Sequence, residues 1–233
     1  MRAGLFEQED FRRAVRDYRF LLGRGYPERP VRKLVGDRYR LSKDHRMVLY
    51  RGVLAPEAAR RNATKRVDRN GIPPAAGSPG SGPALTVDAY NVILTCMNYL
   101  LGKPVFIADD GFTRDIGGAH GRVYDNETFR RAAGLVLGYL FEEGIFSELV
   151  LDKPVSNSGR HRRIIEEEAA VLGVKYRCVV VESADRYIGE CRCGAAATSD
   201  SGVIGRAVVP VFDLAGAVIR VRFSPKLFDL RTI

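Results

Sequence analysis

The sequence predicts an α/β domain with a mostly parallel sheet in three layers, preceded by a small all-α basic domain. Three observations lead there. After residue 84, apolar runs of strand length alternate with segments of helical period, the pattern of crossover units whose sheet is covered on both faces. A stretch at 71–83, "GIPPAAGSPGSGP", has no apolar period and reads as a linker, flexible with stiff proline points. The charge is also divided unevenly: residues 1–70 carry 19 Lys+Arg against 9 Asp+Glu, whereas 71–233 carry 18 against 19, so the formal net charge of +9 comes wholly from the first third. The expected division is a helical domain at 1–70, the linker, and an α/β domain at 84–233.

The elements follow in chain order. "EDFRRAVRDYRFLLGRGY" (9–26) places Phe11, Val15, Tyr18, Leu21 and Leu22 at helical spacing. Gly23 and Gly25 end that helix, and Pro27 and Pro30 oppose its restart. Val31, Leu34 and Val35 mark a second short helix, and Ser42 caps a third that carries Met47, Val48 and Leu49. Arg38, Arg40, Lys43, Arg46 and Arg51 surround Tyr39 and Tyr50. Arginine interleaved with tyrosine suits phosphate contact plus base stacking, although two core tyrosines with solvated arginines would give the same spelling.

Beyond the linker the apolar runs are "ALTVDAY", "KPVFIADD", "ELVLDKP", "YRCVVVES", "AAATSD" and "VVPVFDLAG". Helical patterns occupy roughly 90–100, 126–143, 159–172, 184–192 and 202–207. "AVIRVRF" (217–223) alternates polar and apolar and is expected to be an antiparallel edge strand.

Acids stand at the ends of these runs. Asp88, Asp109 with Asp110, Asp152, Asp200 and Asp213 close five of the six, and Asp185 lies just past the other. In an open parallel sheet the carboxyl ends of the strands share one edge, where ligands bind. Carboxylates gathered there repel one another unless a cation joins them, and Mg²⁺ or Mn²⁺ is the natural partner for hard oxygen donors. Such ions activate water and clamp a phosphodiester. Asp also caps helices and shapes turns. One acid at a strand end therefore means little, and several after different strands mean more.

"LTVDAYNVI" resembles the first strand of PIN-like nucleases, above all the NYN branch, in which Asp ends the strand and Asn follows closely. "LVLDKP" is similar to that branch's second acidic strand, "VVVESADRYIGE" to its Ala-Asp-x-x-Ile helix start, and "AAATSDSGVIGRA" to its Thr-Ser-Asp strand end. The four stretches keep the family's order over residues 85–216. The whole chain also resembles an uncharacterised prokaryotic family that joins a small basic N-terminal domain, with a "VGDRY"-type segment, to such a domain. The nuclease resemblance implies metal-binding and catalytic acids at Asp88, Asp152, Asp185 and Asp200, with Asn91, Thr198 and Ser199 in support. "FIADDGFTRDIGGAHGR" (106–122) departs from the pattern, so Asp109 or Asp110 competes with Asp152 for the second acid position, and Arg114, His120 and Arg122 are placed to meet phosphate or solvent. In "KPVSNSGRHRR" (153–163), Arg160, His161, Arg162 and Arg163 open a helix, where backbone amides favour anions.

The resulting expectation is metal-dependent hydrolysis of RNA, with Arg38, Arg40, Lys43, Arg46, Arg160, Arg162 and Arg163 as the nucleic-acid contacts. One rival is an RNA-binding protein on the same fold without catalysis. Another is a small-molecule phosphohydrolase, disfavoured because Asp88 is followed by Ala89 and Tyr90 rather than by the Asp-x-Asp of an aspartyl nucleophile. Neither a GxxxxGK[ST] loop nor GxGxxG is present. No apolar stretch approaches 18 residues and no signal peptide opens the chain, so a cytoplasmic protein without a membrane span is expected. The four cysteines lack zinc-ligand spacing, and reduced thiols are expected.

Overall fold

The computed structural model describes residues 4–73, 82–117, 125–153, 158–192 and 194–233. Four helices come first: α1 (Glu9–Gly23), α2 (Glu28–Arg38), α3 (Lys43–Gly52) and α4 (Pro56–Ala63). Phe11, Val15 and Tyr18 are buried along α1, as its period requires, and Ser42 caps α3 by accepting from the His45 amide at 3.2 Å. Leu34, expected on the inner face of α2, is exposed; Val31 and Val35 fill that face. The chain then forms a two-residue strand, β1 (Arg66–Val67).

The remainder alternates strands and helices: β2 (Leu85–Asp88), α5 (Ala89–Leu100), β3 (Val105–Ile107), β4 (Thr113–Asp115), α6 (Asn126–Glu142), β5 (Ser147–Asp152), α7 (Ser158–Leu172), β6 (Tyr176–Val181), α8 (Ala184–Gly189), β7 (Ala195–Ala197), α9 (Ser201–Arg206), β8 (Val211–Phe212), α10 (Leu214–Phe223) and β9 (Phe228–Asp229). Six strands make a parallel sheet in the order β1-β8-β7-β2-β5-β6. From β2 the chain moves outward to β5 and β6, then returns to the other side of β2 for β7 and β8. The order therefore reverses beside β2, the place where such sheets open a crevice.

Strand parity sorts the layers. Leu85, Val87, Leu149, Leu151, Ala195, Ala197 and Phe212 face one core with residues of α5, α6, α7 and α10. Val150, Ala196 and Val211 face the other, with Ala184 and Ile188 of α8 and Val203 and Ile204 of α9. Alanine at three successive positions of β7 leaves room for helices to approach both faces.

The run "KPVFIADD" does not enter this sheet. Its β3 belongs to a second sheet of order β4-β3-β9, antiparallel to β4 and parallel to β9. The N-terminal helices pack on it: Phe11, Tyr18, Val48 and Leu49 share a core with Phe106, Ala108 and Leu230. Gly52 permits that approach, because a Cβ there would stand 2.4 Å from the Phe106 ring. Lys65 Nζ caps the end of α9 by donating to the carbonyls of Ile204 (2.8 Å) and Gly205 (2.7 Å). The first third of the chain is thus helical through Ala63, and it then supplies β1, the edge strand beside β8. Of the Gly/Pro/Ser stretch, residues 74–81 lie outside the described residues, while Ile72 is buried in the main core.

"AVIRVRF" is a helix, not the expected edge strand. Asp213 caps α10 by accepting from the Gly216 amide at 3.2 Å. Leu214, Ala215, Val218 and Ile219 are buried at helical spacing, whereas Arg220 and Val221 are exposed. The alternation of residues 219–223 matched a strand by chance. Among the described residues no helix is long and apolar enough to cross a membrane.

Candidate active site

Asp88 is the last residue of β2 and the cap of α5. Its Oδ1 accepts from the Asn91 amide at 3.1 Å, and its Oδ2 accepts from the Thr198 hydroxyl at 3.1 Å. Thr198 Oγ1 in turn accepts from the Asp200 amide at 3.2 Å. Asn91 Oδ1 accepts from the Ser199 amide at 3.2 Å and from the Ser199 hydroxyl. The end of β2 and the loop after β7 are therefore sewn together by Asp88, Asn91, Thr198 and Ser199, neighbours across the strand pair β2–β7. Asp200 caps α9 through the Val203 amide at 2.8 Å. On the other side of β2, Asp152 ends β5, and its Oδ1 accepts from the Ala184 amide at 2.6 Å. Asp185 is the next residue, in the first turn of α8.

The electrostatics tie the four acids together. Burial raises the Asp88 carboxyl to about 7; its two hydrogen bonds work against that rise, and the charges of Asp185 and Asp152 add to it. Asp185 is also held above the usual carboxylate range, first by burial, then by Asp200 and Asp152, with Arg206 opposing. Asp185 thus lies within electrostatic reach of Asp88, Asp152 and Asp200 beside the carboxyl edge of the parallel sheet. Their oxygens have the chemistry of a Mg²⁺ or Mn²⁺ donor set. Among the described residues, no group of three or more His, Cys, Asp or Glu stands close enough together to hold a metal ion.

Asp109 and Asp110 lie elsewhere. Asp109 pairs with Arg19 through both oxygens, at 3.0 and 2.6 Å, and accepts from the Leu54 amide. Asp110 takes a two-pronged bond from Arg114, at 2.9 and 2.7 Å, and a third from Asn62 at 3.1 Å. Both follow β3, outside the parallel sheet, so the shared edge expected for them does not exist. Arg114 is on β4 rather than on a solvated loop; it is 1 % exposed and donates to the Ser199 carbonyl at 2.6 Å. It buttresses the loop that carries Thr198, Ser199 and Asp200. Asp213, at the end of β8, caps α10 and accepts from the Thr113 hydroxyl at 2.8 Å. His120 and Arg122 lie outside the described residues.

At the start of α7, Arg160, Arg162 and Arg163 are exposed, Arg162 pairing with Glu166 at 2.7 Å. His161 is not available to an anion. It is fully buried, its Nδ1 is 2.9 Å from the Tyr90 hydroxyl, its ring lies 4.6 Å from that of Phe129, and burial lowers its pKa. The helical period of α7 carried the signal, since His161, Ile164 and Ile165 fall on one face. In the N-terminal part, Tyr39 is half-buried with its hydroxyl on Asp17 at 2.7 Å. Arg38 lies over Tyr39, and Arg40 and Lys43 sit on the turn into α3. Arg46 alone of that group turns toward α2, bonding Asp37 at 2.9 Å. Arg206 was missed by the sequence reading; its cue was a basic residue ending the helix that Asp200 begins.

Comparison with known proteins gives families without an activity. Residues 80–217 match the "Domain of unknown function (DUF5616)", and residues 10–65 match the "Protein of unknown function (DUF434)". An uncharacterised protein of Methanocaldococcus jannaschii, MJ0935, is 24% identical over 192 residues, covering 82% of this chain and 88% of its own length. No solved structure gives a significant match. The larger match takes in β2 through the first turn of α10, and with it the four acids: the chain belongs to the family defined by the domain of unknown function DUF5616.

Proposed function

We propose that the protein hydrolyses RNA phosphodiester bonds with the help of a divalent metal, at the edge where β2 meets β5 and β7, on a PIN-like domain. The observation that supports this reading is the charge repulsion that links Asp185 to Asp88, Asp152 and Asp200 beside the ends of the parallel strands, with the Asp88 carboxyl itself buried. Acids so arranged oppose one another until a cation joins them, and neither core packing nor helix capping requires all four. In that reaction Asp88, Asp152, Asp185 and Asp200 would have to draw together around Mg²⁺ or Mn²⁺, since as they stand no three of them are near enough to share one ion; the bound ion would supply positive charge at the scissile phosphate and a more acidic water. The chain's own part is placement. Thr198 and the Asn91 amide fix both oxygens of Asp88, Ser199 fixes Asn91, and Arg114 holds Ser199 from behind. Arg206 is the nearby cation that offsets Asp185.

A second reading, RNA binding without catalysis, is favoured by the acids' wider spacing, too open for three of them to grip one ion. Incubation with a mixed cellular RNA pool separates the two. Cleavage should require Mg²⁺ or Mn²⁺ and stop with EDTA. Asp88→Asn and Asp200→Asn should each cost several kcal/mol of transition-state stabilisation, a rate loss of roughly 100-fold or more, with RNA binding retained. Intact affinity and no cleavage by the wild type would establish the second reading. Turnover of small phosphate esters but not of RNA would exclude both.

A further inference from the structure

We propose that the groove between α2 and α3 is the seat of the RNA backbone, and that single-stranded RNA lies along it. Arg29, Pro30, Arg32, Lys33 and Arg46 line a groove of about 480 Å³. No carboxylate is among these lining residues. Four cations line it, and three of them pair with acids: Arg32 with Glu28 at 3.3 Å, and Lys33 and Arg46 with Asp37 at 3.3 and 2.9 Å. Arg29 makes no ion pair among the described residues, so its charge is available to a ligand.

Two of the cations are held in a set geometry before any ligand arrives. Arg46 donates Nε to the Leu41 carbonyl at 3.0 Å and lies across Gly36, where a Cβ would stand 2.2 Å from the guanidinium. Arg32 stacks on Tyr50 at 4.3 Å, and Tyr50 remains 44% exposed. A guanidinium backed by an aromatic ring offers a flat platform for an unpaired base, beside charges suited to phosphate. A concave cationic groove with the Arg32–Tyr50 stack at its side favours a nucleic-acid strand over a flat lipid surface.

The charged residues first expected to bind, Arg38, Arg40 and Lys43, are not in this groove. Arg40 lines a separate hollow with Asp10 and Asp44, whose negative charge opposes a phosphate. Arg46 is the one residue common to both assignments.

The inference rests on RNA being the substrate, and binding read in EDTA keeps it separate from catalysis. The probe is a 5′-labelled 15-nucleotide oligouridylate, followed by fluorescence anisotropy with the full chain. Replacing Arg29, Arg32 and Lys33 together by Gln should weaken binding at least tenfold. The same change should lower the slope of log affinity against log salt by about 2, at roughly 0.7 per phosphate contact for single strands. Replacing Arg38, Arg40 and Lys43 by Gln removes the same charge and should weaken binding less than threefold. Circular dichroism melts establish that both variants fold. Equal losses in the two triples, or no binding by the wild type, would overturn the groove. So would binding to vesicles of phosphatidylcholine and phosphatidylserine that needs Arg29, Arg32 and Lys33 and that oligouridylate does not compete away. Cleavage that fails while groove-dependent binding persists would count against the catalytic reading alone.

Discussion

Asp110→Ala is expected to lower stability by about 3–5 kcal/mol, because it leaves the Arg114 charge buried without its partner. For a chain of this size that is a fall in melting temperature of roughly 10 °C. The pair is enclosed on all sides, with side chains 2% and 0% exposed, and its two parallel bonds of 2.9 and 2.7 Å have the geometry of a strong fork. Asn62 and the Phe112 amide complete the carboxylate's bonds, and the Ser199 carbonyl takes Arg114 Nε. Arg114→Leu should also be costly, since it strands Asp110 and the Ser199 carbonyl. The double variant should be less damaged than the sum of the two, by about 2 kcal/mol or more, because neither charge is then left alone. Denaturant melts of the four proteins give that coupling. A value near zero would mean that water reaches the pair and that the site loop does not depend on it.

That ion pair also shows where sequence reading reaches its limit. Asp110 and Arg114 are four residues apart, a spacing that suggests a helix, yet they meet across a hairpin whose turn has Gly111 at a φ of +82°. Nothing local announces that Ser199, Asn62 and Arg114 come together, because each arrives from a different element. The strand-and-helix alternation was legible because β2, β5, β7 and β8 are buried on both faces and read as apolar runs. The order of the strands was not, and so Asp109 and Asp110 competed with Asp152 until β3 proved to belong to another sheet. β1, α4 and β9 went unread because two-residue strands and an eight-residue helix are too short to show a period. Strand ends in a parallel sheet share an edge, which drew notice to the acids there, but the choice of Asp88, Asp152, Asp185 and Asp200 among them came from the family resemblance. Their hydrogen-bond partners, Thr198 for Asp88 and Ser199 for Asn91, followed from the family resemblance rather than from any physical signal in the sequence. The groove proposed for RNA had no sequence cue: arginines stood beside tyrosines in the chain elsewhere, whereas stacking joins Arg32 to Tyr50 across two helices.

Asp88→Asn is expected to raise the melting temperature in EDTA at pH 8, and to lose most of the cleavage rate when Mg²⁺ or Mn²⁺ is present. The carboxyl is held near 7 in the folded protein against 3.8 for a free carboxyl, chiefly by burial. A raised acid pKa means that the native state holds its proton more tightly than the unfolded chain does. The stability tied to that proton is present in full below pH 4 and lost as pH rises through 7. Above 7 the ionised, buried carboxylate weakens the fold by about 4 kcal/mol, and Asp185, shifted in the same direction, adds to the effect. Asparagine keeps the cap to the Asn91 amide and carries no charge. If about half of that 4 kcal/mol is recovered, the variant melts roughly 4–8 °C higher at pH 8 and close to the wild type at pH 5. Millimolar Mg²⁺ or Mn²⁺ should stabilise the wild type at pH 8 by occupying the native state, and should do little for the variant. Scanning calorimetry at the two pH values, with and without metal, measures all of this. A variant that melts lower than wild type at both pH values, with neither protein responding to metal, would make Asp88 a helix cap alone. The opposite signs expected for stability and turnover are what a carboxylate kept for chemistry rather than for folding should give: a cost to the fold without its cation, and a requirement for the reaction with it.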